Sequence, residues 1–155
     1  MTSGNGGDDA RPIAIASDHA GFALKEALKK QLVEMKVRFE DLGTKDESSC
    51  DYPDFAHALA RGISDGRFRL GVLVCGSGIG MSMAANRHPG VRAAVCTEAY
   101  AARMTREHND ANVLCLGSRI VGPGVAEDVL RAFLEGEFQG GRHARRVGKI
   151  EPSGS

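Results

Sequence analysis

Residues 70–75 (LGVLVC) carry no polar side chain, and they run straight into Gly76-Ser77-Gly78-Ile79-Gly80. A strand with one wet face alternates apolar and polar residues. A strand with no polar position is buried on both faces, as in a parallel sheet covered by helices on either side. The neighbouring segments repeat this theme. Residues 12–17 (PIAIAS), 91–96 (VRAAVC) and 112–116 (NVLCL) are short apolar runs, and 37–42 (VRFEDL) alternates like a strand and stops at Gly43.

Helical patterns lie between these runs. Phe22, Leu24, Leu28, Leu32 and Met35 recur at helical spacing, with Lys25, Glu26, Lys29 and Lys30 on the other face. Pro53 opens a second helix in the first-turn position that proline favours, with Phe55, Ala56, Leu59, Ala60 and Ile63 as its stripe. Residues 81–86, 98–108 and 124–136 read as further helices, and 140–149 (GGRHARRVGK) as a basic tail. Five strands alternating with helices predict an α/β fold with a parallel five-stranded sheet and right-handed crossovers. The domain spans residues 12–150. The polar, Gly-rich stretch 1–11 is expected to be a disordered leader and 151–155 a disordered end.

Charge excludes some function classes. Lys plus Arg number 20 and Asp plus Glu number 20, whereas nucleic-acid binders carry a basic surplus. No apolar run approaches the ~18 residues of a membrane span, and the N-terminus lacks a secretory layout. Cys50, Cys75, Cys96 and Cys115 form no C-x-x-C or zinc pattern. A reducing, cytoplasmic setting is therefore expected.

Ligands of parallel sheets bind beyond the carboxyl ends of the strands. Ser17-Asp18-His19-Ala20-Gly21 follows the first strand, Cys75 and its glycine loop the third, and Gly117-Ser118-Arg119 the fifth. Arg106-Glu107-His108-Asn109-Asp110, just before strand five, is expected on the same rim. The glycines at 76, 78 and 80 let the backbone curl with its N–H groups inward, and a helix start adds positive potential, which makes an anion cradle. Met81 rules out the G-x-G-x-x-G fingerprint, and no Gly-Lys-Ser/Thr follows for a Walker loop. The competing reading is a tight turn without a ligand.

The residues alone leave Cys75 open between a thiolate favoured by that cradle and a small buried hydrophobe. Cys96 and Cys115 lack a glycine loop and read as core, and Cys50 lies in a polar loop. His108 suits either a general acid–base or a dipole partner at a helix end. Asp18 can cap a helix. His57 and His88 are given no role. Arg142, Arg145 and Arg146 with His143 form either a phosphate-binding cluster, within reach of a partner subunit, or a solvated tail.

The stretches SDHAGFALK (17–25), DYPDFA (51–56), VLVCGSGIGMSMAANR (72–87), REHNDANVLCLGSR (106–119) and GGRHARRV (140–147) together resemble the type B ribose-5-phosphate isomerases. The wider family includes galactose-6-phosphate and allose-6-phosphate isomerases. The resemblance covers residues 12–150. It implies a three-layer α/β/α Rossmann-like sandwich and a homodimer, or a tetramer built from it, with the active site between subunits. It makes Cys75 the base that moves a proton between C1 and C2 of the open-chain sugar. The backbone of Gly76, Gly78, Ile79 and Gly80 would stabilise the enediolate, with Ser77 standing where many members have Thr. His108 would assist ring opening, with Asp18 and Asn109 nearby. His19, Arg119, Arg142 and Arg146 would hold the phosphate, the last two from the partner, and Tyr52 would lie near the sugar. One branch of the family replaces the Cys by a Glu from the glycine-loop helix. Met81, Ser82 and Met83 occupy that region here, so the Cys branch applies.

The implied reaction is the interconversion of D-ribose 5-phosphate and D-ribulose 5-phosphate through a cis-enediolate, in the pentose phosphate pathway, with no cofactor or metal. The alternatives are the same chemistry on a six-carbon sugar phosphate, a non-catalytic phosphate-binding module, and a thiol redox sensor. The last of these wants a resolving Cys that is not close in sequence.

Overall fold

The apolar runs assemble as their patterning demands. The computed structural model describes residues 9–152. Strands β1 (Ile13–Ser17), β2 (Phe39–Asp41), β3 (Gly71–Cys75), β4 (Ala93–Val95) and β5 (Val113–Gly117) pair in parallel in the order β2-β1-β3-β5-β4. Helices α1 (Phe22–Glu34), α2 (Tyr52–Ser64), α3 (Ile79–Ala85), α4 (Ala99–Asn109), α5 (Pro123–Glu135) and α6 (Arg142–Val147) connect and follow them.

Successive strand residues are shared between two cores, which is why β1, β3 and β5 tolerate no polar side chain in their middles. Ile13, Ile15, Val72, Val74, Leu114 and Leu116 pack with Leu24, Leu28 and Leu32 of α1 and Val129, Leu130 and Phe133 of α5. Ala14, Ala16, Leu73, Cys75, Val113 and Cys115 face the other way, against Ala56, Leu59 and Ile63 of α2 and Met81 and Ala85 of α3. Each fully buried aliphatic side chain contributes about 1.5–3 kcal/mol. The result is a three-layer α/β/α sandwich.

The chain winds outward from β1 to β2 on one side and to β3 on the other. The strand order therefore reverses between β1 and β3, and a crevice opens beyond their carboxyl ends. Asp18 and Cys75 sit there.

Several expectations are corrected. α3 begins at Ile79, so the last two residues of the glycine segment form its first turn. The basic tail folds as α6, entered through Gly140 and Gly141, both with positive φ. Residues 1–8 of the expected leader lie outside the described residues. In residues 9–11, Arg11 ion-pairs with Asp9 at 2.7 Å and donates to the Gly66 carbonyl at 3.1 Å. At the other end Gly90 N–H donates to Glu151 at 3.2 Å, and residues 153–155 lie outside the description. Lys25, read as part of a solvent-facing stripe, is 1 % exposed.

The largest correction concerns His108. A helix that follows one parallel strand runs back to the start of the next, so its C-terminus lies at the amino ends of the strands. His108 and Asn109 end α4, four residues before Val113, which pairs with Gly71 at the start of β3. Cys75 ends β3, opposite Gly117 at the end of β5. Within one chain, His108 and Cys75 therefore sit on opposite rims of the sheet.

Candidate active site

Asp18, Tyr52, Cys75, Gly76, Ser77, Ile79, Gly80 and Arg119 border one cleft of about 590 Å³, with Met83 and Ile120 at its mouth. Cys75 is 4 % exposed, and its Sγ accepts a hydrogen bond from Gly78 N–H at 3.1 Å. That bond requires the chain to double back within three residues. Gly78 manages this at φ +79°, with its α-carbon so near the Leu116 carbonyl carbon that an added Cβ would lie 2.9 Å from it. Ile79 N–H donates to Ser77 Oγ at 3.2 Å, which leaves the Ser77 hydroxyl proton available to a ligand. The loop after β5 supports this turn from the side. Ser118 N–H donates to the Cys75 carbonyl at 2.8 Å and Arg119 N–H to the Gly76 carbonyl at 3.0 Å.

Tyr52 packs on Gly80 so closely that a side-chain carbon there would come within 2.6 Å of its ring. Arg119 lies over Gly76 in the same way, with Nη1 3.3 Å from where a Cβ would stand. Asp18 is buried, and its Oδ1 accepts from Gly21 N–H at 3.0 Å; it closes the turn before α1 and does not cap the helix, whose N-cap Gly21 has no side-chain cap. His19 Nδ1 accepts from Cys50 N–H at 3.2 Å. In the neutral ring the proton is therefore on Nε2, which becomes a donor. His19 itself does not border the Cys75 cleft; Cys50 holds its ring through the backbone, a contact with no signal in the sequence, because it depends only on where the loop after β2 returns.

The other candidates form a second cluster, at the opposite rim. His108 and His143 stack with centroids 4.2 Å apart and planes 8° from parallel. With Asn109, Arg146, Val147 and Ile150 they border a cleft of about 370 Å³, and Arg142 begins the same short helix. Loss of solvent, then His108, Arg142 and Arg146, push His143 below its ordinary pKa. Packing of α6 on α4 gives His143 this stacked position, which the tail sequence did not reveal.

Cys96 and Cys115 are unsuited to acid–base work. Burial, then Glu98, raises Cys96 to about 11, and burial raises the Cys115 thiol further still. His57 and His88 pair with each other at 2.8 Å, away from both clefts. Among the described residues, no group of three or more His, Cys, Asp or Glu side chains is placed to hold a metal ion.

A sandwich with a cysteine and a glycine turn at its switch point, ringed by Asp, Ser, Tyr and Arg, has the form of a sugar-phosphate isomerase. Residues 13–150 match the model of the Ribose/Galactose Isomerase family, and the chain belongs to that family. It is 44 % identical over 140 residues to ribose-5-phosphate isomerase B of Escherichia coli, covering 90 % of this chain and 94 % of that one. It superposes on a Clostridium thermocellum ribose-5-phosphate isomerase B with a TM-score of 0.88 at 50 % identity, covering 90 % and 94 % of the two chains. A D-erythrulose-4-phosphate isomerase of Pectobacterium atrosepticum is 40 % identical, over 89 % of this chain and 91 % of its own.

Proposed function

We propose that this protein interconverts D-ribose 5-phosphate and D-ribulose 5-phosphate, with Cys75 as the proton-transferring base and a second copy of the chain completing each site. The observation that carries the reading is the Cys75 sulfur itself. It is nearly buried, accepts an N–H bond at 3.1 Å, and faces a cleft that also holds a carboxylate, a hydroxyl and a guanidinium.

Enolisation beside a carbonyl needs a base over one carbon and donors for the oxygen that gains charge. Cys75 removes the proton from C2 of the open-chain aldose and returns it to C1. The backbone N–H groups of residues 76–80 that are not bonded to Cys75 Sγ or Ser77 Oγ, together with the Ser77 hydroxyl, supply donors to the enediolate. Arg119 and the Nε2–H of His19 suit the anionic sugar. Cys75 is the thiol that borders this cleft, and a base that must remain a free thiol suits a reducing cytosol.

The partner enters for a topological reason. His108, Asn109, Arg142 and Arg146 lie on the wrong rim to serve their own Cys75, yet they comprise an acid–base group and phosphate donors. Ile79, Met83 and Ile120 stand 51 %, 67 % and 61 % exposed around the Cys75 cleft. Large apolar side chains in that position are suited to burial against another subunit. A homodimer that docks the His108 cluster of one chain over the Cys75 cleft of the other covers them and closes the site from water. His108 then assists ring opening, and Arg142 and Arg146 hold the phosphate remote from the reacting carbons. A tetramer can be built from such dimers.

The relative named for a four-carbon ketose phosphate shows that sugar length varies among proteins this similar, so the test must compare lengths. Ribose 5-phosphate, erythrulose 4-phosphate and allose 6-phosphate are offered to the wild-type enzyme. Ribose 5-phosphate is expected to exceed the others in kcat/KM by about tenfold or more, the scale on which a misfitting carbon is rejected. Turnover of none of them would overturn the isomerase reading, leaving a phosphate-binding module, and preference for another length would reassign the substrate. Arg142→Ala is expected to raise KM more than it lowers kcat, because it holds the phosphate rather than the reacting carbons. An unchanged KM in steady-state kinetics would return α6 to a solvated basic helix.

A further inference from the structure

Lys25 has no explanation in the reaction described so far. It is among the largest fully buried side chains, with 1 % exposure on a helix whose Lys29 is half-buried and whose Lys30 is exposed. Its ammonium donates to both carboxylate oxygens of Asp41, at 2.8 and 2.7 Å, and stands 3.3 Å from Glu26. Burial would raise the Asp41 pKa, but bonds from Lys25, Lys29 and Gly43 N–H outweigh it and hold the carboxyl below its ordinary value. Burying an ammonium is unfavourable, and replacing a whole buried ion pair by well-packed apolar residues is often neutral or stabilising, whereas removing only one member is destabilising because the other charge is left uncompensated. Asp41 keeps Lys29 at 2.8 Å. An apolar pair at positions 25 and 41 would serve stability as well, so stability alone gives no reason for a buried lysine here.

The bonds lead from Lys25 to the site. Asp41 Oδ1, held by Lys25, accepts from Gly43 N–H at 2.9 Å. The Gly43 carbonyl accepts from Ser17 N–H, and Thr44 N–H donates to the Ser17 carbonyl, both at 2.8 Å. Ser17 ends β1, and the next two residues are Asp18 and His19. The same loop carries on to Cys50, whose N–H meets His19 Nδ1.

We propose that Lys25 is a positioning residue of the active site: by clamping Asp41 it fixes Gly43 and Thr44 against Ser17 and so sets the placement of Asp18 and His19. Lys29 does not duplicate the clamp. It reaches only one Asp41 oxygen and is 26 % exposed, whereas Lys25 bridges both oxygens from inside the protein. This inference rests on the function proposed above for its kinetic readout, but not for its spectroscopic one.

The test compares Lys25→Met, Asp41→Asn and the double variant with wild type. Met keeps the length of the stem without the charge. In Lys25→Met, KM for ribose 5-phosphate is expected to rise about tenfold, with kcat within about threefold, because the phosphate-side groups shift while Cys75, held by β3, does not. Alkylation of Cys75 by iodoacetamide should keep its wild-type rate, while the melting temperature falls because Asp41 loses its buried partner. The double variant should be no worse than the worse single one, since both act through one clamp. Ring-nitrogen NMR of His19 should show the Nε2–H tautomer in wild type and a mixture in the variants. This readout stands even if the wild type turns over no sugar. If Lys25→Met fails to fold, Asp41→Asn carries the same expectations with the lysine left in place. An unchanged KM with a wild-type His19 spectrum would overturn the proposal, and so would a lowered melting temperature with both readouts unchanged.

Discussion

Cys75→Ala is expected to abolish nearly all turnover of ribose 5-phosphate, by about 10²–10⁴-fold in kcat, the usual contribution of a positioned general base. KM should change little, because the groups proposed to hold the phosphate, His19, Arg119, Arg142 and Arg146, do not include Cys75. The fold should survive. Ala fills most of the space of a residue that is 4 % exposed in the core beneath α2 and α3. The variant loses the Gly78 N–H···Sγ bond of 3.1 Å, and such a bond is worth about 1 kcal/mol. Thermal unfolding beside a coupled assay separates the two effects. In deuterated water the wild type should place deuterium on the exchanged carbon and the variant should not. Near-normal kcat in Cys75→Ala would remove the thiol from the mechanism, even if the isomerase activity itself stood.

The second large effect is a recovery of activity. Cys75→Ala and His108→Ala should each be nearly inactive alone and should complement when mixed. In a dimer of one Cys75→Ala chain and one His108→Ala chain, one site pairs an intact Cys75 with an intact His108, and the other carries both substitutions. Random reassortment makes half the dimers mixed, with half their sites intact, so activity should return to about a quarter of wild type. Unfolding and refolding the two chains together provides the exchange, and mixing without refolding is the control. No recovery, from variants shown to form mixed dimers, would mean that Cys75 and His108 do not meet across the subunit boundary.

This expectation arises from a difference between chain order and space. His108 precedes strand β5 closely in sequence, and His, Asn and Asp together suggest a site. Proximity to a strand in sequence does not say which end of the strand. The return direction of α4 sets that, and it puts His108 opposite to Cys75.

Residues 70–75 specified a strand buried on both sides, because every position had to meet a core. That requirement is local and survives any arrangement of neighbours. The glycines behind Cys75 likewise foretold the turn, since a left-handed residue three positions on is needed to bring an N–H back to the sulfur. Period and turn chemistry belong to short stretches of chain, and the sequence by itself therefore determined the parallel sheet, its helices and the cysteine at its carboxyl rim. Other features depend on segments that meet only when the chain is folded. The burial of Lys25 depends on Asp41, sixteen residues away. The tautomer of His19 depends on Cys50, thirty-one residues away. The stacking of His108 on His143 depends on how α6 folds back on α4. No periodicity records such distances, so tertiary structure alone decided which polar residues share a cleft and which lie on the opposite rim of the sheet.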